Sequence, residues 1–257
     1  MVCPKRKITA MLGTFKKQWK TGCLTDPGKT RELNEDYLYV NDDVGLFVLA
    51  DGMGGHNAGE VASALAVNLV SSLVEEELQS GVDPAELVRT AITKANEIIL
   101  NKSESKSAWS EMGTTLVVAL VADRQMVIGH VGDSRVYSIA NRQIAQLTED
   151  HTFVADWIKN GLLTKEQARK HHQRHGLTEA IGITDDIQVE ILIRKRQKDE
   201  CLLLCSDGLT DMLDDEEILK IVEAAKDPQD ACNNLVQDAN LRGGTDNITV
   251  ILACPRR

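Results

Sequence analysis

Leu46-Phe47-Val48-Leu49-Ala50-Asp51-Gly52 is a run of five apolar residues that stops on an acid and a glycine. Its length and bulk suit a strand buried on both faces. Asn41-Asp42-Asp43 just before it reads as a turn, and Tyr37 to Asn41 reads as a partner strand. The same ending recurs along the chain. Met126 to Val131 runs into Gly132-Asp133, and Cys201 to Cys205 runs through Ser206 into Asp207-Gly208. Thr245-Asp246-Asn247 stands directly before the apolar run that starts at Ile248. Four acids thus fall at the ends of four strands, and Glu35-Asp36 stands directly before the strand at Tyr37.

Between these strands the hydrophobic period changes. Val61, Leu65, Leu69 and Leu73 recur at helical spacing, which predicts a helix over about 59–78. Asp83-Pro84 with Glu86 is a helix start that predicts a capping box, and Val88, Ile92, Ala95 and Ile99 form the stripe that follows. Strands are expected at 115–122, 126–131, 135–140 and 143–147, joined by turns short enough for antiparallel hairpins. A polar, helix-leaning stretch covers 152–175. Strands return at 187–193 and 201–205, helices at 214–225 and 228–242, and a last strand at 248–253. Helices in consecutive pairs and strands in consecutive hairpins predict an α+β fold in which helix pairs cover antiparallel sheets. One domain is the simplest count.

The 257 residues are 42% hydrophobic and 26% charged, an ordinary globular composition. No stretch reads as a membrane span or a signal peptide, and a cytoplasmic location is expected. The formal charge is −10, and because residues 1–25 hold six Lys and Arg and no acid, the remainder carries −16. Such an acidic body argues against nucleic acid as a partner. Residues 1–20 read as a flexible basic extension, solvated rather than bound to a membrane surface or acidic partner. The six cysteines form no C-x-x-C pair and are expected to be reduced and structural.

An Asp-Gly at a strand end is ordinary turn chemistry when it stands alone. Several acids converging at one edge of an apolar sandwich would repel one another strongly, and cations would relieve that. Oxygen ligands without His or Cys favour Mg²⁺, Mn²⁺ or Ca²⁺ over zinc or copper. Two such ions about 3.5–4 Å apart are a recurrent device for attacking phosphate esters. Arg31, four residues before Glu35, is placed to clamp the phosphate.

Seven segments in order sharpen this: Arg31 to Asp36, Ala50 to His56, Met112 to Thr115, Gly132 to Arg135, Leu177 to Gly182, Ser206 to Leu209 and Gly244 to Asn247. Together they resemble the type 2C, or PPM, family of metal-dependent serine/threonine protein phosphatases in its compact bacterial form. The resemblance implies a four-layer αββα sandwich over 21–257, two central antiparallel sheets flanked by pairs of antiparallel helices, with a mobile flap at about 152–176. It implies hydrolysis of phosphoserine and phosphothreonine by a metal-bridging water, opposing a serine/threonine kinase. Asp51 would bridge two Mn²⁺ or Mg²⁺ ions, with the Gly52 carbonyl on the first. Asp207 and Asp246 would hold the second, and Glu35 and Asp36 would ligate directly or through water. Asp133 would join Asp207 on a third ion found in many bacterial members. Arg31 would bind the substrate phosphate, so Arg31, Asp51 and Asp207 are the expected catalytic set.

Met53 stands where eukaryotic members carry a histidine that is thought to protonate the leaving group. His56 is the alternative acid, although a structural role is favoured for it and for His151. The basic, histidine-rich 152–175 stretch is either a solvated face or a device that steers phosphopeptides, and a zinc site there is disfavoured. A monomer is expected. Two other readings remain at this point: a regulator on the same fold whose metal site has decayed, and a small-molecule phosphatase or phosphodiesterase.

Overall fold

The computed structural model describes residues 19–54, 58–122 and 125–256. Its strands are β1 (Trp19–Asp26), β2 (Asp36–Asn41), β3 (Leu46–Met53), β4 (Gly113–Thr114), β5 (Leu116–Ala122), β6 (Gln125–Val131), β7 (Arg135–Ala140), β8 (Gln143–Gln146), β9 (Glu190–Lys195), β10 (Cys201–Cys205) and β11 (Ile248–Pro255). Its α-helices are α1 (Ala58–Glu77), α2 (Pro84–Ser105), α3 (Phe153–Lys159), α4 (Lys165–Arg169), α5 (Asp207–Thr210), α6 (Asp215–Ala224) and α7 (Pro228–Leu241). One sheet has the order β1-β11-β10-β7-β8 and the other β2-β3-β5-β6-β9, with β4 added to β3. Every strand pairing is antiparallel.

The layers follow from the alternation of side chains along each strand. In β3, Leu46, Val48 and Ala50 face α1 and α2, while Phe47 and Leu49 face the other sheet. In β10, Leu203 and Cys205 face α6 and α7, while Leu202 and Leu204 point inward. β11 divides the same way, Ile248, Val250 and Leu252 outward against Ile251 and Ala253 inward. A strand covered on both faces needs apolar residues at consecutive positions, which is why these segments read as unbroken runs.

The helices start where their caps dictate. Asp83 accepts from the backbone N–H groups of Ala85 and Glu86, although no reciprocal bond from Glu86 completes a box. Asp214 with Glu217 makes a full capping box at α6, and Asp227 caps α7 ahead of Pro228. α1 has the length and mean hydropathy, 1.2, of a membrane span. Its apolar stripe, including Ala62, Ala66, Val67, Val70 and Val74, is instead buried in the core with β3 and β5.

Two findings depart from the sequence reading. β1 was not anticipated, and it takes in Trp19 and Lys20 from the expected basic arm. The rest of that arm, residues 1–18, and His56 lie outside the described residues. Two cysteines expected to be reduced, Cys201 and Cys254, form a disulfide between neighbouring strands, while Cys23, Cys205 and Cys232 are free thiols.

Candidate metal centre

Asp36 opens β2 and lies opposite Asp51, which sits near the end of β3. Pairing the two strands therefore sets two carboxylates side by side. Asp51 is held by its backbone: its N–H donates to Thr115 Oγ1 at 3.0 Å, and its carbonyl accepts from the Thr115 N–H and Thr114 Oγ1, both at 2.8 Å. The next residue, Gly52, is wedged so closely against the carbonyls of Gly59 and Glu35 that a Cβ would overlap both. That close packing draws the start of α1 onto the strand end. Glu35 hangs over the same junction, with its Oε1 where a Cβ on Gly59 would come within 2.7 Å.

The second sheet supplies the facing acids. β10 ends at Cys205, and Ser206 caps α5, so Asp207 occupies the first position of that helical turn. Ser206 spends its hydroxyl elsewhere, donating to Asp36 Oδ2 at 2.8 Å and accepting from the Thr249 N–H at 3.0 Å. Asn247, just before β11, accepts from the Glu35 N–H at 2.8 Å and donates to the carbonyls of Pro27 and Leu33. Asp246 beside it accepts from Arg31 Nη2 at 2.8 Å. Asp133 lies at the end of β6 after Gly132, whose φ of 102° suits glycine and presses it against Thr115.

The acids act on one another across this junction. Burial, Ser206 and Thr249 notwithstanding, lifts the Asp36 carboxyl from its ordinary 3.8 to about 7, with Asp207 and Asp246 adding repulsion. Asp51 is held well above the usual range by burial and then by Asp36, Asp207, Asp133 and Asp246. Asp133 is also raised well above it, by burial and then by Asp207 and Asp150. Glu35 is raised by burial, partly offset by Arg31. Five of the expected ligand acids therefore meet around Asp51 or Asp36, and Glu35 and Arg31 border them.

The arrangement fits hard divalent cations. Asp36 Oδ1 is buried with no hydrogen-bond partner among the described residues, and the donors are oxygens on a surface that repels itself without added positive charge.

Several participants escaped the sequence reading. His175 extends from the stretch after α4 and places Nδ1 3.2 Å from Asp207 Oδ2 and Nε2 3.4 Å from Asp211 Oδ2. The Asp207 hydrogen bond is the main reason its imidazole holds a proton more tightly than usual. Asp211 was findable, since it lies one helical turn after Asp207. Asp150 grips Arg135 through both oxygens, at 2.9 and 2.6 Å. His151 fits the structural role expected of it: its Nδ1 accepts from the Gly132 N–H at 3.3 Å, and its Nε2 lies 3.7 Å from Glu190, which also faces His130.

A two-sheet sandwich with acids gathered at one end, a histidine and an arginine beside them fits a divalent-metal-dependent phosphoester hydrolase. The sequence profile of the protein phosphatase 2C family matches residues 29–241. A serine/threonine phosphatase, stp, of Listeria monocytogenes is 39% identical over 233 residues, 89% of this chain and 92% of that protein. Protein phosphatase PhpP of Streptococcus pneumoniae is 39% identical over 89% of this chain and 94% of its own. The crystal structure of the Mycobacterium tuberculosis serine/threonine phosphatase PstP/Ppp superposes with a TM-score of 0.87, at 33% identity, covering 93% of this chain and all of that one. A PstP catalytic domain in complex with two manganese ions superposes at 0.84, with 32% identity and 93% and 99% coverage. The chain belongs to the protein phosphatase 2C family.

Proposed function

We propose that Asp51, Asp207, Asp246, Asp36, Glu35 and the Gly52 carbonyl hold two Mn²⁺ or Mg²⁺ ions, with Asp133 and Asp207 on a third, and that this metal-dependent serine/threonine phosphatase thereby dephosphorylates proteins. The observation that carries the assignment is Asp51, whose carboxyl is destabilised at once by Asp36, Asp207, Asp133 and Asp246. Bound there, the ions supply an acidified water and offset charge on the phosphoryl oxygens.

The residues do the rest. Arg31, already beside the acids through Asp246, swings its half-exposed guanidinium onto the substrate phosphate. Ser206 and Asn247 fix Asp36 and the Glu35 backbone, so the acidic ring is set before substrate arrives. Phe153, 44% exposed, stacks on Trp157, which meets His171 edge-on, and this ladder gives the 152–176 flap an aromatic ridge beside His175 for the substrate chain. The reading extends to a monomer without a transmembrane segment, working in the cytoplasm opposite a serine/threonine kinase.

The test is hydrolysis of a phosphothreonine peptide and of p-nitrophenyl phosphate with millimolar Mn²⁺. Asp207→Asn should lower turnover at least 100-fold and weaken Mn²⁺ binding by calorimetry while the circular dichroism stays unchanged. An unaltered rate in that variant would remove the assignment.

A further inference from the structure

β10 and β11 each carry a site ligand at one end and a cysteine at the other. β10 runs from Cys201 toward Asp207, and β11 runs from beside Asp246 toward Cys254. Their register pairs Leu202 with Ala253, so the next step outward sets Cys201 opposite Cys254, where the disulfide forms. Six residues of extended chain place it roughly 20 Å from Asp207.

Both cysteines are only half-buried, and both line a cleft of about 810 Å³. Lys20 pairs with Asp227 and Arg142 with Glu223 in the lining, and Lys226 and Arg256 stand against Asp199, a positive excess that favours entry of a small anion. The other buried thiols are sealed off: burial pushes Cys205 and Cys232 up to about 12. Cys23, an equally half-buried thiol, lies outside the lining of this cleft, so position, charge and pairing together single out Cys201 and Cys254 for exchange chemistry.

We propose that Cys201–Cys254 is a reversible thiol–disulfide exchange site for small anionic thiols of the glutathione class, and that it sets the thermal durability of the phosphatase without altering its turnover. A thiolate entering the cleft attacks one sulfur, the protein S–S bond breaks, and the other cysteine leaves as a thiolate. A second small thiolate then attacks its counterpart in the mixed disulfide and releases the second cysteine. Two small thiols become one small disulfide, and the protein gains two electrons and, from solvent, two protons. Such a site is the form a disulfide takes in a reducing compartment.

Turnover is spared because β10 and β11 are interior strands. β11 is hydrogen-bonded to β1 and β10, and β10 to β11 and β7, so the ladder that positions Asp207 and Asp246 survives reduction. Durability is not spared, because the bond closes a loop spanning 53 residues of the unfolded chain. Its loss should lower Tm by roughly 10 °C.

The full chain would be equilibrated in glutathione mixtures from oxidising to reducing, quenched with an alkylating agent and mapped by mass spectrometry. Cys201 and Cys254 should become alkylated together at one poise, while folded protein keeps Cys205 and Cys232 unlabelled. Cys201→Ser should trap glutathione on Cys254. The double variant Cys201→Ser/Cys254→Ser should melt like the reduced protein at every poise and hydrolyse p-nitrophenyl phosphate within about twofold of the oxidised rate. Free Cys201 and Cys254 under glutathione disulfide, a bond that opens only on unfolding, equal Tm values, or a rate that falls on reduction would each overturn the proposal. Absence of turnover in both redox forms would count against the phosphatase assignment and leave the thiol mapping and melting results to stand.

Discussion

Asp36→Asn separates the cost of the acidic cluster from its use. Asp36 is 5% exposed, one carboxylate oxygen has no hydrogen-bond partner among the described residues, and Asp207 and Asp246 press on it from the facing sheet. Its folded-state value of about 7 lies above the unfolded value near 3.8, so the native state holds a proton that the unfolded chain has released. Without metal, stability on this account is complete below about pH 4, declines as pH rises to about 7 and stays level beyond. At about 1.4 kcal/mol per pH unit, that interval is worth about 4 kcal/mol as an upper bound. Asparagine has no charge to penalise, and its amide can take the place of the unpaired oxygen while Ser206 still donates to the other side. In EDTA at pH 8, the variant should therefore melt above the wild type, by up to about 10 °C. At pH 4 the two curves should nearly coincide. With saturating Mn²⁺ at pH 8 the order should reverse, since wild type gains binding energy that the variant has surrendered. Thermal melts followed by circular dichroism at the two pH values decide it. A variant that melts lower than wild type in EDTA at pH 8, or gains equally at pH 4, would refute the idea that Asp36 is strained by its charge.

Three further outcomes follow from the same geometry. Gly208→Ala should cost about 2–3 kcal/mol in urea unfolding, because a Cβ there would enter the carbonyl of Asn247 and lift α5 from β11. His175→Ala removes a cation held beside Asp207 and Asp211, and because that imidazole stays protonated to higher pH than a free one, Mn²⁺ affinity should rise several-fold near pH 6 and little at pH 9, by calorimetry. Arg31→Ala should raise KM for a phosphopeptide roughly tenfold or more with a smaller change in kcat, measured at saturating Mn²⁺.

The strands that hold the site were legible because both their faces are buried, which forces uninterrupted apolar runs that stop at the acids. The helices were legible from their period and from caps such as Asp83 and Asp214. β1 was not, because Trp19 to Asp26 alternates poorly, contains Gly22 and Lys20, and forms the edge of its sheet. Its reason to be a strand lies in β11, far along the chain. The pairing of Cys201 with Cys254 is invisible for a similar reason, since only the β10–β11 register makes them neighbours. The acids gathered at the site were findable because each lies at or within two residues of a strand end. His175 was not, for it lies in a polar segment among other histidines and its partners belong to a different element. Ser206 was quoted with its motif, yet nothing local shows that its hydroxyl serves Asp36 rather than capping α5.

The pairing of β1 with β11 has a bearing on how the chain acquires activity. Thr25 and Thr249 share a hydrogen bond at 2.7 Å across 224 residues of sequence, and the strands are matched at eight positions. A ribosome delivers β1 more than 200 residues before β11, so β1 waits through that stretch of synthesis without its neighbour. Asp246 emerges with that same late segment. On the proposed ligand set, a nascent chain lacks part of its metal site, and hence phosphatase activity, until that segment has folded onto β1. The slow step of assembly is expected to be this final long-range closure, and catalytic competence should arrive with it rather than before.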